Sequence, residues 1–281
     1  MNMYKIFKVF MISSTFLLLT GCNSVILHPS GMIGAKIKNL ILTSFITMLI
    51  VVIPAIFLSI FFFLKYNEKN TNIKYNPNWS HSNKLELVIW TIPFLIILFL
   101  GLVSWNSTHQ LDPNKTIISK NQPIVIDVIS VDWRWLFIYK KERIASINEI
   151  AIPINTPIIF HITSGSVMNS FFIPALGSQI YAMAGMKSSL NLIANTPGKY
   201  QGISSNYSGS GFSDMKFNVL VVENNTAYNE WIKKVQSDKN TICNYEEYLN
   251  IAKPNHSKKV IYFSCVCFDL FNYVIKNMHK K

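Results

Sequence analysis

The sequence predicts a membrane-anchored all-β protein: a two-helix transmembrane hairpin, then an exported β-sandwich or barrel, then a short helical C-terminal extension. Three observations predict it. Leu40–Leu64 and Leu87–Trp105 run for 25 and 19 residues without a charged side chain, and a helix needs about 20 apolar residues to cross a bilayer. Only 14% of the chain is charged, against about 25% in soluble domains. Beyond Ile117, short β-branched runs alternate with Pro-, Gly-, Ser- and Asn-containing turns, the pattern of a sandwich or barrel.

The chain opens on a secretory signal over Met1–Gly21. Lys5 and Lys8 form its basic start, and Val9–Leu19 is an apolar run too short to span a membrane. Leu19-Thr20-Gly21-Cys22 resembles the bacterial lipoprotein signal. That resemblance implies cleavage before Cys22, a diacylglyceryl group on its sulfur and an acylated amino terminus, which places Cys22 on the outer membrane face. Residues 22–39 are then an exported N-terminal segment.

Pro54 and Pro93 fall inside the two spans, where membrane helices tolerate them, and Trp90 and Trp105 suit the interfacial belts. The loop over residues 65–86 carries Lys65, Lys69, Lys74 and Lys84 against Glu68 and Glu86. It outweighs Lys36 and Lys38 before the first span and marks the cytoplasmic side. Both ends of the hairpin therefore lie outside, and everything after Trp105 is exported. The net charge of +12 is scattered rather than clustered, so nucleic acid is not an expected partner.

Within the exported region, Ile124–Ile129, Trp135–Tyr139, Ile158–Thr163, Leu190–Ala194 and Lys216–Val222 read as strands. The turns between them include Asn155-Thr156-Pro157, Ser164-Gly165-Ser166, Pro197-Gly198 and Ser208-Gly209-Ser210-Gly211. Ala227–Gln236 reads as a helix with Trp231 and Ile232 as its apolar points.

These segments carry a family resemblance. Val131-Asp132-Trp133-Arg134-Trp135, Asn148-Glu149-Ile150, Pro153–Pro157, Val167–Pro174 and Pro197–Gly202 resemble, in order and spacing, subunit II of the haem–copper terminal oxidases. The resemblance spans about Gly31–Trp231. It implies a cupredoxin-like Greek-key sandwich within residues 106–223, with 224–281 as the extension.

In the cytochrome c oxidase branch of that family, this domain holds a dinuclear copper centre on two cysteines, two histidines, a methionine and a backbone carbonyl. The corresponding positions here are Asn169 and Phe212 for the histidines, Ser204 and Ser208 for the cysteines, Asn206 for the carbonyl and Met215 for the methionine. A serine hydroxyl stays protonated at neutral pH and cannot bridge copper ions as a thiolate does, and phenylalanine has no donor atom. Soft thiolate and imidazole ligands suit copper; a lone buried thioether is ordinary core. The sequence therefore predicts no metal, catalytic or cofactor site in this chain.

The pattern resembles the quinol oxidase branch, of the cytochrome bo type. Cytochrome c delivers electrons from outside the membrane and needs the copper relay; ubiquinol is lipid-soluble and can deliver them within the bilayer. From Asn106 onward there are 18 Lys and Arg against 12 Asp and Glu, a net of +6, which opposes docking of basic cytochrome c. The resemblance implies a non-catalytic, lipid-anchored inner-membrane subunit of a proton-translocating ubiquinol oxidase. Haem and copper are expected in a partner large subunit I, alongside further small membrane subunits. The competing reading is a stand-alone membrane lipoprotein that binds a ligand or protein with a degenerate cupredoxin domain.

The remaining features fit structural roles. Trp133 and Trp135 occupy the family's electron-entry positions, where packing is expected without a metal beneath. The aromatic tail, with Tyr248, Tyr262, Phe263, Phe268, Phe271 and Tyr273, is expected to pack on the sandwich, and Phe268–Met278 reads as a short helix. Cys243, Cys265 and Cys267 are odd in number and are expected as thiols, with one disulfide through Cys243 possible. Neither span contains an ionisable side chain, so a proton path or quinone site made by this chain alone is not expected.

Overall fold

A computed structural model describes residues 24–66, 78 and 80–278. Cys22 and its signal lie outside the described residues, as does most of the loop between the spans. The chain divides into two units: Ile37–Asp112, and a β-rich unit of Pro113–Lys281 together with the chain up to Lys36.

The first unit is helical. Helix α1 (Met32–Lys65) and helix α2 (Asn83–Gln110) contain 34 and 28 residues and are long and apolar enough to cross a membrane. Both outrun the uncharged segments at their ends. At 1.5 Å per residue they are about 51 and 42 Å long, more than the roughly 30 Å hydrocarbon core. Their apolar side chains face outward: Phe57, Trp90 and Ile97 are 65, 77 and 70% exposed, and no residue of α2 is buried. Such a surface requires lipid or other subunits around it.

The β-rich unit is a sandwich. Strands β1 (Ile124–Val131), β2 (Arg134–Tyr139), β3 (Ile144–Ile147), β4 (Glu149–Pro153), β5 (Pro157–Ser164), β6 (Asn169–Phe172), β7 (Gln179–Ala182), β8 (Ser188–Ile193), β9 (Gly198–Ser204) and β10 (Lys216–Val222) precede helix α3 (Asn225–Gln236). The extension then supplies β11 (Thr241–Ile242), helix α4 (Tyr245–Ala252), β12 (Ile261–Phe263), β13 (Cys265–Val266) and helix α5 (Leu270–Met278). One sheet runs β12-β3-β2-β1-β5-β8, the other β4-β10-β9-β6-β7. Both are mixed: β1–β5 and β4–β10 pair in parallel, and their other pairs are antiparallel.

Alternation of side chains explains how the first sheet is buried on both faces. Trp135, Phe137 and Tyr139 of β2 join Ile126, Val128, Phe171 and Phe217 in the core between the sheets. Leu136 and Ile138 point the other way, with Ile129 and Val131, against Tyr248, Phe263, Val266, Leu270, Phe271 and Val274 of the extension. A strand covered on both faces loses the polar alternation of a half-exposed strand, which is why β1 and β2 read as nearly continuous apolar runs.

The extension is thus more than the helical segment read from sequence. Its strand β12 pairs antiparallel with β3 and forms the edge of the six-stranded sheet, and β11 pairs in parallel with β13. These strands are only two or three residues long, too short to show a period-2 pattern.

The segment before α1 is also part of this unit. Ser30 N donates to the Ala175 carbonyl at 2.7 Å and Gly34 N to that of Leu176 at 2.9 Å. Gly31 bridges to Ala194, and a Cβ there would lie 2.5 Å from the Ile193 carbonyl oxygen. Glycine allows the backbones to approach this closely.

Candidate functional site: the degenerate copper positions

The loop joining β9 to β10, the start of β6 and the β1–β2 turn bring the family's metal-ligand positions together. Asn169, at the first position of β6, is buried. Its Nδ2 donates to Ser130 Oγ at 2.7 Å and to the Val167 carbonyl at 3.2 Å, and its Oδ1 accepts from Ser204 Oγ at 3.1 Å. Ser130 and Ser164 hydroxyls are 3.2 Å apart, and Ser164 donates to the Val167 carbonyl at 2.5 Å. Both ends of the amide are engaged, as a buried polar group requires.

The loop closes over this chain of bonds. Ser204 N donates to the Met215 carbonyl at 3.1 Å. Ser204 Oγ also lies 3.4 Å from the Asn206 carbonyl, the oxygen at the family's backbone-donor position. Asn206 Nδ2 turns away to the Met168 carbonyl at 3.1 Å. The hydroxyl of Ser208 is buried without a hydrogen-bond partner. Phe212 begins a short 3-10 turn over Phe212–Asp214 and its ring is 5.8 Å from that of Tyr207. Met215 is 1% exposed and belongs to the core between the sheets.

Asn169, Ser204 and the Asn206 carbonyl are therefore brought together, with the Met215 backbone bonded to Ser204; the side chains at these four positions offer two amides, a hydroxyl and a thioether. This set does not fit a dinuclear copper centre, which needs deprotonated thiolates and imidazoles. The Ser204 hydroxyl already donates to Asn169 Oδ1, and Asn169 Nδ2 donates to Ser130 and the Val167 carbonyl. Among the described residues no group of three or more His, Cys, Asp or Glu is arranged to hold a metal ion.

Trp133 sits directly over the loop. It ends the β1–β2 turn with φ of 63°, a conformation that costs a bulky residue about 1–3 kcal/mol. Its indole Nε1 donates to the Ser208 carbonyl at 3.0 Å. A Cβ on Gly211 would stand 2.3 Å from the indole Cγ, so only glycine fits beneath the ring. Trp135 is fully buried, edge-on to Phe171 with ring centroids 5.3 Å apart.

What sequence reasoning missed is the cover on Trp133. Residues 251–258 cross it as a strap. The His256 ring stacks on the indole at 4.4 Å. Arg134 donates to the Ile251 carbonyl, Asn148 Nδ2 to the Ser257 carbonyl at 3.3 Å, and Lys258 pairs with Asp214 at 2.8 Å. The bond from Lys258 holds the Asp214 carboxyl below the usual carboxylate range. Beside the strap, Glu149 accepts from Tyr262 at 2.6 Å and Trp231 at 3.2 Å. Burial, and then the bond to Glu149, push the Tyr262 phenol up. Nothing in the local spacing of His256, Tyr262 or Glu149 announces these contacts, which join residues far apart in sequence.

Residues 121–223 match the family model described as cytochrome c oxidase subunit II, periplasmic domain. The chain is 52% identical to the cytochrome bo(3) ubiquinol oxidase subunit 2 of Buchnera aphidicola subsp. Baizongia pistaciae, over 96% of this chain and 95% of that one. It is 51% identical to the protein of the same name from Buchnera aphidicola subsp. Schizaphis graminum, over 100% and 97%. It is 48% identical to the ubiquinol oxidase subunit 2 of Acetobacter aceti, over 93% and 85%.

Proposed function

The chain belongs to the ubiquinol oxidase subunit 2 family, and from that premise we propose that it is a non-catalytic subunit II of a proton-translocating ubiquinol oxidase in the bacterial inner membrane. The complex oxidises ubiquinol and reduces oxygen to water. This chain holds neither haem nor copper; both belong to the large subunit I. The outward apolar faces of α1 and α2 pack against that subunit, other small membrane subunits and lipid. The sandwich lies on the periplasmic side, and Cys22 carries the lipid anchor.

The observation that carries the proposal is the state of the four positions that would have to supply thiolates and imidazoles. Asn169 and Ser204 are hydrogen-bonded to each other, Ser208 has only a hydroxyl, and Phe212 has no donor. Without a relay, electrons from a water-soluble carrier have no metal to enter by. A quinol in the bilayer does not need one. The domain persists as a structural cap, with its former electron-entry tryptophan under the His256 strap.

Purification through a tag on this chain tests the assembly. The expected preparation contains haem-bearing partners, no copper attributable to this subunit, and an acyl mass on the peptide beginning at Cys22. A chain that extracts alone, without haem, would make it a stand-alone lipoprotein instead.

A further inference from the structure

One end of the sandwich carries a cleft made of residues that play no part in the degenerate metal loop. It holds about 840 Å³, within the roughly 300–1,000 Å³ of small-molecule sites. Its walls are the segment entering β1, the turn after β2, the chain between β4 and β5, and the first turn of α3. Pro123, Ile124, Val125 and Pro153 form an apolar side. Asn121, Thr156, Asn225 and Asn229 supply amides and a hydroxyl.

The charge of the cleft is basic. Lys120, Lys140, Lys141 and His161 line it against a single lining carboxylate, Glu142. Asp127, fully buried, pairs with Lys140 at 2.9 Å and with His161 Nδ1 at 3.0 Å. An ionised carboxylate can only accept, so His161 Nδ1 carries the proton and Nε2 is the ring's remaining polar atom. Lys120 and Lys141 form no ion pair among the described residues. Counting Asp127, the cleft keeps one net positive charge with His161 neutral. The N-terminus of α3 borders it and adds the partial positive charge of its free N–H groups.

Tyr228 points to a ligand independently. It lines the cleft, is 7% exposed, and its hydroxyl has no hydrogen-bond partner among the described residues. Buried polar groups are nearly always paired. Burial pushes the phenol up, so at neutral pH it remains an O–H donor.

We propose that this cleft binds an organic phosphate ester, with Lys120, Lys141 and the Tyr228 hydroxyl on the phosphate oxygens. Lysine serves as a point-charge partner for phosphate. Lys120 and Lys141 come from separate segments, so an anion with several oxygens suits them better than one with a single charged face. The asparagines and Thr156 suit hydroxyls of the esterified alcohol, and the proline-rich side suits its carbons. Two sources share this chemistry, a phospholipid headgroup and a soluble ester. Asn121 Nδ2 donates to the Asn155 carbonyl at 3.2 Å. Asn195 Nδ2 donates to Asn155 Oδ1 at 2.9 Å, and Asn195 N to the Ser30 carbonyl at 2.7 Å. A corner of the cleft is thus tied to the segment that continues into α1, which keeps a headgroup among the sources.

Amine-acylation footprinting of the detergent-purified, delipidated complex tests this, because it reads lysines one by one. The probes are dibutyryl phosphatidylglycerol and glycerol 3-phosphate, with glycerol as the uncharged control. Acylation of Lys120 and Lys141 should slow with phosphate ester and not with glycerol, while exposed Lys199 on β9 stays unchanged. Protection by the lipid alone assigns a headgroup; protection by glycerol 3-phosphate alone, or by both, admits a soluble ester. Tyr228→Phe should weaken the affinity read from the same titration by about tenfold, the worth of one hydrogen bond to a charged group. Thermal unfolding without ligand should not move in that variant. Absence of protection by either ester, equal protection of Lys199, or wild-type affinity in Tyr228→Phe would overturn the proposal.

Discussion

The indole of Trp133 and the imidazole of His256 stack with centroids 4.4 Å apart and planes 22° apart. That contact joins the β1–β2 turn to the C-terminal extension across the degenerate metal loop. It places the extension over one face of the Trp133 ring. Replacing His256 by alanine removes the stack, worth about 0.5–1.5 kcal/mol. Acrylamide quenching of tryptophan fluorescence in the purified complex should rise. Unchanged quenching would mean that the strap does not shield the ring.

Glu149 is a carboxylate at 9% exposure that accepts from Tyr262 and Trp231. Hydrogen bonds to charged groups contribute about 1.5–3 kcal/mol. Tyr262→Phe removes one donor, and denaturant unfolding should show a loss in that range. Glu149→Leu removes the carboxylate from both donors and should cost more. Equal, negligible losses would contradict the view that Glu149 ties β12 and α3 to β4.

Tyr139, Tyr228, Tyr248 and Tyr262 have phenols pushed up first by burial. Their folded pKa values stand above the unfolded value of about 10. The stability linked to their protons is therefore complete below about pH 10 and drains away as pH climbs toward the folded values. Absorbance at 295 nm should show these phenolates only as the near-ultraviolet circular dichroism collapses. Their ionisation near pH 10 with the dichroism intact would contradict it.

Asn169→His restores one ligand type but breaks the bonds from Asn169 to Ser130 and Ser204. Leaving buried partners unsatisfied costs about 1–3 kcal/mol. The single variant should be destabilised and bind no copper, as metal analysis after copper dialysis would read. Copper binding is expected only when Ser204→Cys, Ser208→Cys and Phe212→His are added. Stoichiometric copper in the single variant would show that the loop retains more donors than its side chains suggest.

Much of the fold was legible in sequence because its signals are local. The uncharged runs in α1 and α2, and the β-branched or aromatic stretches of β1, β2, β5 and β10, carry their own signatures. Strand β4 does not, since Glu149 opens it as a polar residue and is buried only because Trp231 and Tyr262 arrive from distant segments. The contact between Cys267 and the Cys243 carbonyl depends on the parallel pairing of two-residue strands, which leaves no periodicity to read. At the candidate site, the residue types at Asn169, Ser204, Ser208, Phe212 and Met215 are read directly from the sequence, and their correspondence to ligand positions is what the family resemblance implies. The hydrogen bonds that replace them, and the strap above, are long-range consequences of the fold.

The most direct measurement is oxygen uptake by the complex purified through this chain, with ubiquinol and reduced cytochrome c supplied in separate assays. Uptake with ubiquinol and none with cytochrome c is the predicted result. Uptake driven by cytochrome c would mean that electrons enter through the exported domain without the thiolate and imidazole ligands, and would contradict the account at its centre.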